Sequence, residues 1–303
     1  MWNKTSFSEN GEALTVYYPS SIGGNLFMRP GLKFKVEGNF TDRIDFVSLM
    51  LALFLGTAAL PHVLIRYYTV PDAASARKST IVAIAAIGFF YILTLYMGLG
   101  AMANGVINPA DGNMSAPLLA KSFGLVLFAI ISAIAFATVL GTVSGLIVAA
   151  SGAVAHDVMD MYLKIEMTEK QKVMAGKITA VVVGIIAIFL GIVFQGMNVS
   201  FLVGWAFAVA ASANLPSIIM VLFWERTTPQ GIVASIFTGT AVALGIILLS
   251  PDMFTRYGLN PASAPLSFSQ PGLISIPISF LVLIIVSLVT QKQRLKEVMV
   301  ATD

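Results

Sequence analysis

No cysteine occurs anywhere in the chain, and there are only two histidines, His62 and His156. Without thiols there is neither a disulfide framework nor thiolate ligation, and two imidazoles leave little from which to build a zinc site. A catalytic metal is therefore not expected. Charge is scarce as well, with Asp, Glu, Lys and Arg making 11 % of the residues against about a quarter in a soluble globular domain. With 57 % hydrophobic residues and a mean hydropathy of +0.87, this deficit excludes the soluble classes and defines an integral membrane protein. The net charge of +3 and pI near 9.1 would hint at nucleic acid in a soluble chain. In a membrane chain they reflect basic loops on the cytoplasmic side, and no nucleic-acid partner is expected.

The apolar residues gather into seven runs long enough to span a bilayer, at 46–69, 79–106, 121–153, 175–197, 199–224, 231–250 and 272–291. The connections fall into two sets. One holds Arg66, Arg77, Lys78, Lys164, Lys170, Lys172, Lys177, Arg226, Lys292, Arg294 and Lys296, whereas the short loops of the other hold only Lys121 and Arg256. The positive-inside bias puts the first set in the cytoplasm, so the N-terminal side is expected outside and the C-terminus inside a multi-pass protein of the cell membrane. The basic residues of the arm itself, Lys4, Arg29, Lys33, Lys35 and Arg43, weaken this count without reversing it.

Three regions follow: a polar arm over 1–43, a membrane domain over 44–291 and a tail over 292–303. The arm lacks the basic start and apolar core of a signal peptide. Its sequons at Asn3 and Asn39, like those at Asn113 and Asn198, are short enough to arise by chance. An odd span count behind an external polar arm is expected of a chain that starts partway through a longer protein. Among the connections, 70–79 reads as an interfacial turn with its own capping residues, and 108–113 is turn chemistry. The charged stretch after Asp160, up to Lys177, reads as a surface helix on the inner leaflet.

The first run carries Gly56, Thr57, Ala58, Ala59, Leu60, Pro61 and His62 at mid-span. Pro61 has no N–H and clashes with the carbonyl four residues back, so the helix is expected to break there. Lipid offers no water to the freed backbone groups, and the protein must satisfy them. Broken helices at membrane depth are where transporters hold solutes. An ionisable His62 beside the break is a site candidate on the same ground, with an imidazole hydrogen-bonded to a neighbouring helix as the alternative. Arg66 would share a face with His62 if the helix resumes, and reads as an interfacial anchor.

In the third run Ala137, Gly141, Gly145 and Ala149 form a stripe of small residues that would let another helix approach. Thr138 and Thr142 lie one turn apart on one face. Their hydroxyls offer neutral oxygens of the kind sodium takes, or else bond back to the preceding turn. The fifth run, with Asn214, Pro216 and Ser217, reads as another proline-interrupted helix repaired by its neighbours. Tyr91, Thr94 and Tyr96 of the second run either line a cavity or pack.

The run from Gly56 through His62 to Ala73, with Ala76-Arg77-Lys78-Ser79 after it, resembles the solute:sodium symporter family, and within it the cation/acetate symporters. Two further stretches carry the same resemblance in the same order: Ala135 to Leu140 continuing to Asp157, and Phe201 to Ala208 continuing to Pro216. The last two spans are similar mainly in hydropathy. The resemblance implies the LeuT-type inverted-repeat fold. The chain would then be an all-α membrane protein holding the second half of that fold plus two C-terminal helices, with the first repeat missing and the arm matching an external loop.

It further implies secondary active symport of a small monocarboxylate such as acetate, coupled to Na+ or H+, with no cofactor beyond the coupling ion. Gly56, Thr57, Ala58, Leu60, Pro61 and His62 would line the substrate site, with half-helix N–H groups facing the carboxylate. The positions matching the family's cation site are Thr138, which would give a carbonyl, Gly141 and Thr142. Gly141 has no hydroxyl, so one expected ligand is lost, and His62 leaves proton coupling open. The alternatives are a symporter of the same family for another small solute, or a non-transporting seven-helix membrane receptor. A retinal protein needs an intramembrane lysine that the last span lacks, and an intramembrane enzyme needs a nucleophile or metal cluster that the composition does not supply.

Overall fold

Proline, glycine and short polar side chains decide where the helices stop and start. The computed structural model describes residues 5–9, 12–16, 34, 36, 38–108, 111–165 and 167–301, without the side chains of the two strands, 66, 68, 160–162 and 292–301. Among the described residues seven helices are long and apolar enough to cross a membrane, at Phe40–Leu64, Ala73–Ala103, Leu125–Met159, Glu169–Val193, Val199–Phe223, Pro229–Leu248 and Gly272–Gln291. They coincide with the seven apolar runs. The spanning part is all-helical, a multi-pass membrane fold. In the arm, β1 (Thr5–Glu9) pairs antiparallel with β2 (Glu12–Val16), Thr5 opposite Val16 and Glu9 opposite Glu12.

The chain divides into two units, unit I comprising Met1–Leu32 and Ile65–Asn198, unit II Lys33–Leu64 and Val199–Asp303. Unit II contains α1 (Phe40–Thr57), α2 (Pro61–Leu64), α7 (Val199–Phe223), α8 (Pro229–Leu248), α9 (Pro251–Arg256) and α10 (Gly272–Ala301). Its spans are 28–39 % buried, and glycine is what lets them approach. A Cβ on Gly56 of α1 would lie 2.6 Å from the Cβ of Phe207, one on Gly239 of α8 would run into the Ser212 carbonyl, and one on Gly231 would strike the Ser287 hydroxyl.

Buried hydroxyls cross between these helices. Ser212 bonds Ser275 at 2.6 Å, Ser235 bonds Ser279 at 2.8 Å, and Thr228 bonds Thr290 at 2.7 Å. In hydrocarbon such pairs contribute on the order of 0.6 kcal/mol each. The segment before α10 is pinned to α1 and α7. Asp45 Oδ1 accepts from the N–H of Ser269 and of Gln270, the Ser48 hydroxyl donates to the Gln270 carbonyl, and Trp205 Nε1 donates to the Ser269 carbonyl.

Unit I contains α3 (Ala73–Ala103), α4 (Ser115–Ser122), α5 (Leu125–Gly152), a ten-residue π-helix (Ala153–Tyr162) continuing α5, and α6 (Glu169–Val193). Its three spans bury no part of their apolar stretches in the described residues. Asp72 caps α3 by accepting from the Ser75 N–H at 2.7 Å. At the far end Gly105, at φ 66°, closes a Schellman motif, with Gly105 N–H on the Met102 carbonyl and Val106 N–H on that of Ala101. Thr168 and Gln171 form the capping box of α6.

Two expectations change and one boundary sharpens. The charged stretch to Lys177 forms no surface helix, because the capping box makes Glu169 to Lys177 the first turns of the fourth span itself. The third span starts at Leu125, within four residues of the expected limit, and Gly124, at φ 133°, separates it from the short α4, which the sequence did not indicate. The fifth span is not interrupted, and α7 runs through Pro216. The Ser212 carbonyl, which loses its partner to that proline, lies against the bare Cα of Gly239.

Candidate functional site

The break expected at Pro61 is present and lies within unit II. After Thr57 the chain turns at Ala58 and Ala59, leaves regular structure at Leu60, and resumes with Pro61 as the first residue of α2. The Ala59 N–H closes onto the Gly56 carbonyl at 2.9 Å. On the other side Val63 and Leu64 N–H both go to the Leu60 carbonyl, at 3.0 and 3.1 Å. In a continuous helix Val63 would serve the carbonyl of Ala59, four residues back. Here that oxygen is served instead by Asn214 Nδ2 of α7, 155 residues away, at 3.0 Å. Ala59 is fully buried, and leaving such a carbonyl unpaired would cost about 1–3 kcal/mol.

The inner side of the break is apolar, with Ala59 in a cluster with Ala211, Leu215 and Ile276, flanked by Leu55, Ile219 and Phe280. Of the expected substrate positions, Gly56 is buried under Phe207, Thr57, Ala58 and Pro61 are exposed, and Leu60 and His62 are half-buried. The Thr57 hydroxyl donates to the Leu53 carbonyl at 2.7 Å. Because α2 is only four residues long and passes into a 3₁₀ turn at Ile65–Thr69, it carries little of a helix dipole. On the α2 side the break therefore offers individual N–H groups, while the 18-residue α1 brings its C-terminal end to the other side. The side chain of Arg66 lies outside the described residues, so its sharing a face with His62 is not part of this picture.

Thr138, Gly141 and Thr142 lie in unit I on an unbroken α5, all exposed. Thr138 Oγ1 donates to the Ile134 carbonyl at 2.8 Å and Thr142 Oγ1 to the Thr138 carbonyl at 3.1 Å. Both hydroxyls thus make the local bonds of mid-helix threonines, and the Thr138 carbonyl and Thr142 hydroxyl stand side by side. Among the described residues nothing lies within 4 Å of a Cβ placed on Gly141 or Gly145, so the small-residue stripe has no helix packed into it there. The described residues hold no group of three or more His, Cys, Asp or Glu able to bind a metal ion.

The residue that the sequence reading did not connect to the break is Asn214. It stood out only as a polar residue before Pro216, and no spacing rule ties it to Ala59.

Comparison with known proteins agrees with this architecture. Residues 21–239 match the model of the sodium:solute symporter family. The chain is 47 % identical over 277 residues to a protein of Corynebacterium glutamicum named monocarboxylic acid transporter, an alignment covering 88 % of this chain and 49 % of that one. It is 43 % identical over 290 residues to the uncharacterized symporter YwcA of Bacillus subtilis, covering 93 % of this chain and 55 % of the other. The chain therefore spans about half the length of the curated relatives it matches. No solved structure matches it. With the family model covering more than half its length, and the interrupted first span in the place the resemblance requires, the chain belongs to the sodium:solute symporter family.

Proposed function

We propose that this chain supplies the second-repeat half of a LeuT-type symporter that moves a small monocarboxylate, acetate-like, inward with Na+ or H+. The observation that carries the reading is the first span, interrupted at Ala58 to Leu60 and stabilised from another helix rather than closed on itself. The substrate class rests on the name of the 47 % identical relative. The N-terminal side faces outward and the C-terminus the cytoplasm, following the basic loops.

Thr57, Ala58, Leu60, Pro61 and His62 line the solute side of the break, and Gly56 sets how closely α1 lies on α7. A carboxylate there takes hydrogen bonds from single N–H, hydroxyl or imidazole groups. His62 is the group suited to proton coupling, because imidazole titrates near neutral pH. For Na+ coupling the Thr138 carbonyl and Thr142 hydroxyl contribute oxygens, while Gly141 contributes none.

The test is uptake of radiolabelled acetate into proteoliposomes under an imposed Na+ or H+ gradient. The liposomes would hold the chain alone or together with the half of the Corynebacterium relative that it does not cover. Accumulation that collapses with one gradient is expected. Failure of both preparations to take up acetate, propionate or pyruvate faster than empty liposomes would overturn the reading. Sodium-dependent, pH-independent uptake that survives His62→Ala would remove the proton role.

A further inference from the structure

We infer that Asn214 is a positioning residue for the solute site: its carboxamide replaces the N–H of Val63 on the Ala59 carbonyl and so fixes the first span in its interrupted form. This rests on the proposed reading of the break as the place where solute docks. The argument is one of hydrogen-bond accounting. Pro61 has no N–H to return to Thr57, and the first N–H groups of α2 fold onto the Leu60 carbonyl in a tight turn. The Ala59 carbonyl is thereby left, at a fully buried residue, to a partner from elsewhere.

The partner is the one carboxamide on α7 that stands beside Ala211 and Leu215, which themselves pack on Ala59. The hold is local to the break. Above it Gly56 is fixed by contact with Phe207 and below it Leu64 is back in helical bonding. Asn214 therefore governs the arrangement of Ala58 and Leu60 without being a group the solute must touch. Ser217, one turn further on the same face of α7, has a buried hydroxyl with no hydrogen-bond partner among the described residues.

The absence of native cysteine makes a direct test simple. Ala58→Cys places a single thiol in the exposed part of the break. In the proteoliposomes described above, maleimide labelling of that thiol is measured with and without sodium acetate, alongside acetate uptake. Asn214→Ala is expected to change the labelling rate severalfold and to raise both the KM and the acetate needed for protection by about tenfold, the equivalent of one lost neutral hydrogen bond. Asn214→Gln, which keeps the carboxamide, should stay within about threefold of the parent.

In a Pro61→Ala background, where Val63 can return to the Ala59 carbonyl, Asn214→Ala should add no further effect. Unchanged labelling and KM in Asn214→Ala, or an equal additional loss in the Pro61→Ala background, overturns the inference. If Asn214→Ala does not reach the membrane, the same comparison is made with Asn214→Ser. An altered labelling rate with no acetate protection, together with no uptake by the chain that keeps Ala58, would uphold the positioning role while removing the transport reading.

Discussion

Buried serine and threonine hydroxyls in unit II reach across to neighbouring helices, some of them while also bonding their own helix, whereas most of those in the unit I spans turn back onto their own. Ser212, Ser235 and Thr228 bond Ser275, Ser279 and Thr290. Thr94, Thr138, Thr142, Ser144 and Ser151 bond carbonyls three or four residues earlier in the same helix. Most of the glycines divide in the same way, although Gly245 of unit II is open and Gly100 of unit I touches Leu119. Gly56, Gly204, Gly231 and Gly239 have no room for a Cβ, while Gly88, Gly141, Gly145 and Gly184 have open space around them among the described residues. A hydroxyl or a glycine in a membrane span is thus a packing device only where a second helix is against it, and helical propensity governs it elsewhere.

Substitutions should separate the units. Gly239→Ala drives a methyl into the Ser212 backbone and is expected to destabilise by about 3 kcal/mol, read as a lower thermal midpoint in detergent. Gly145→Ala meets nothing and gains helix propensity, so it should leave the midpoint unchanged or raise it by up to about 1 kcal/mol. A comparable loss in both would erase the contrast.

Ser235→Ala removes the pair with Ser279, whose hydroxyl still bonds the Ser235 carbonyl, and should cost about 0.6 kcal/mol, with the double variant Ser235→Ala/Ser279→Ala losing less than the sum of the two single changes. In unit I, Thr142→Val should move the midpoint by no more than about 0.5 kcal/mol, because the lost bond is a local one. If Thr142 serves the cation, sodium dependence of uptake changes while stability does not.

The smallest effect concerns Asp72, whose carboxyl the N–H and hydroxyl of Ser75 hold below the usual carboxylate range. A lowered value means that its capping contribution is present above the ordinary carboxylate range and is lost as pH falls through the lowered one. The difference in midpoint between the parent and Asp72→Ala should therefore be present at pH 7 and fade only in acid.

The spans were legible because apolar length is a property of consecutive residues, and so was the break, because the defect of Pro61 is built into its own ring. Pro216 is the same residue type with the opposite outcome. There the helix runs on, with the freed Ser212 carbonyl against Gly239 of another helix, a neighbour that no local pattern connects to Pro216. The short α4 was missed because eight residues are too few to show a period. For Thr138 and Thr142 both local bonding and ion contact were foreseen, and the bonds present are the local ones. Asn214 was visible as a polar residue, but its partner depends on which face of α7 meets α1.

The π-helix at Ala153–Tyr162 carries a consequence of its own. Bonding each N–H to the fifth residue back winds the same amino acids into fewer, wider turns than α-helical bonding. Were this segment to rewind as an α-helix, it would lengthen along its axis while His156 and its 2.8 Å partner Asp157 swung around it. Axial extension and rotation would then be one motion, a screw cut into the end of the third span.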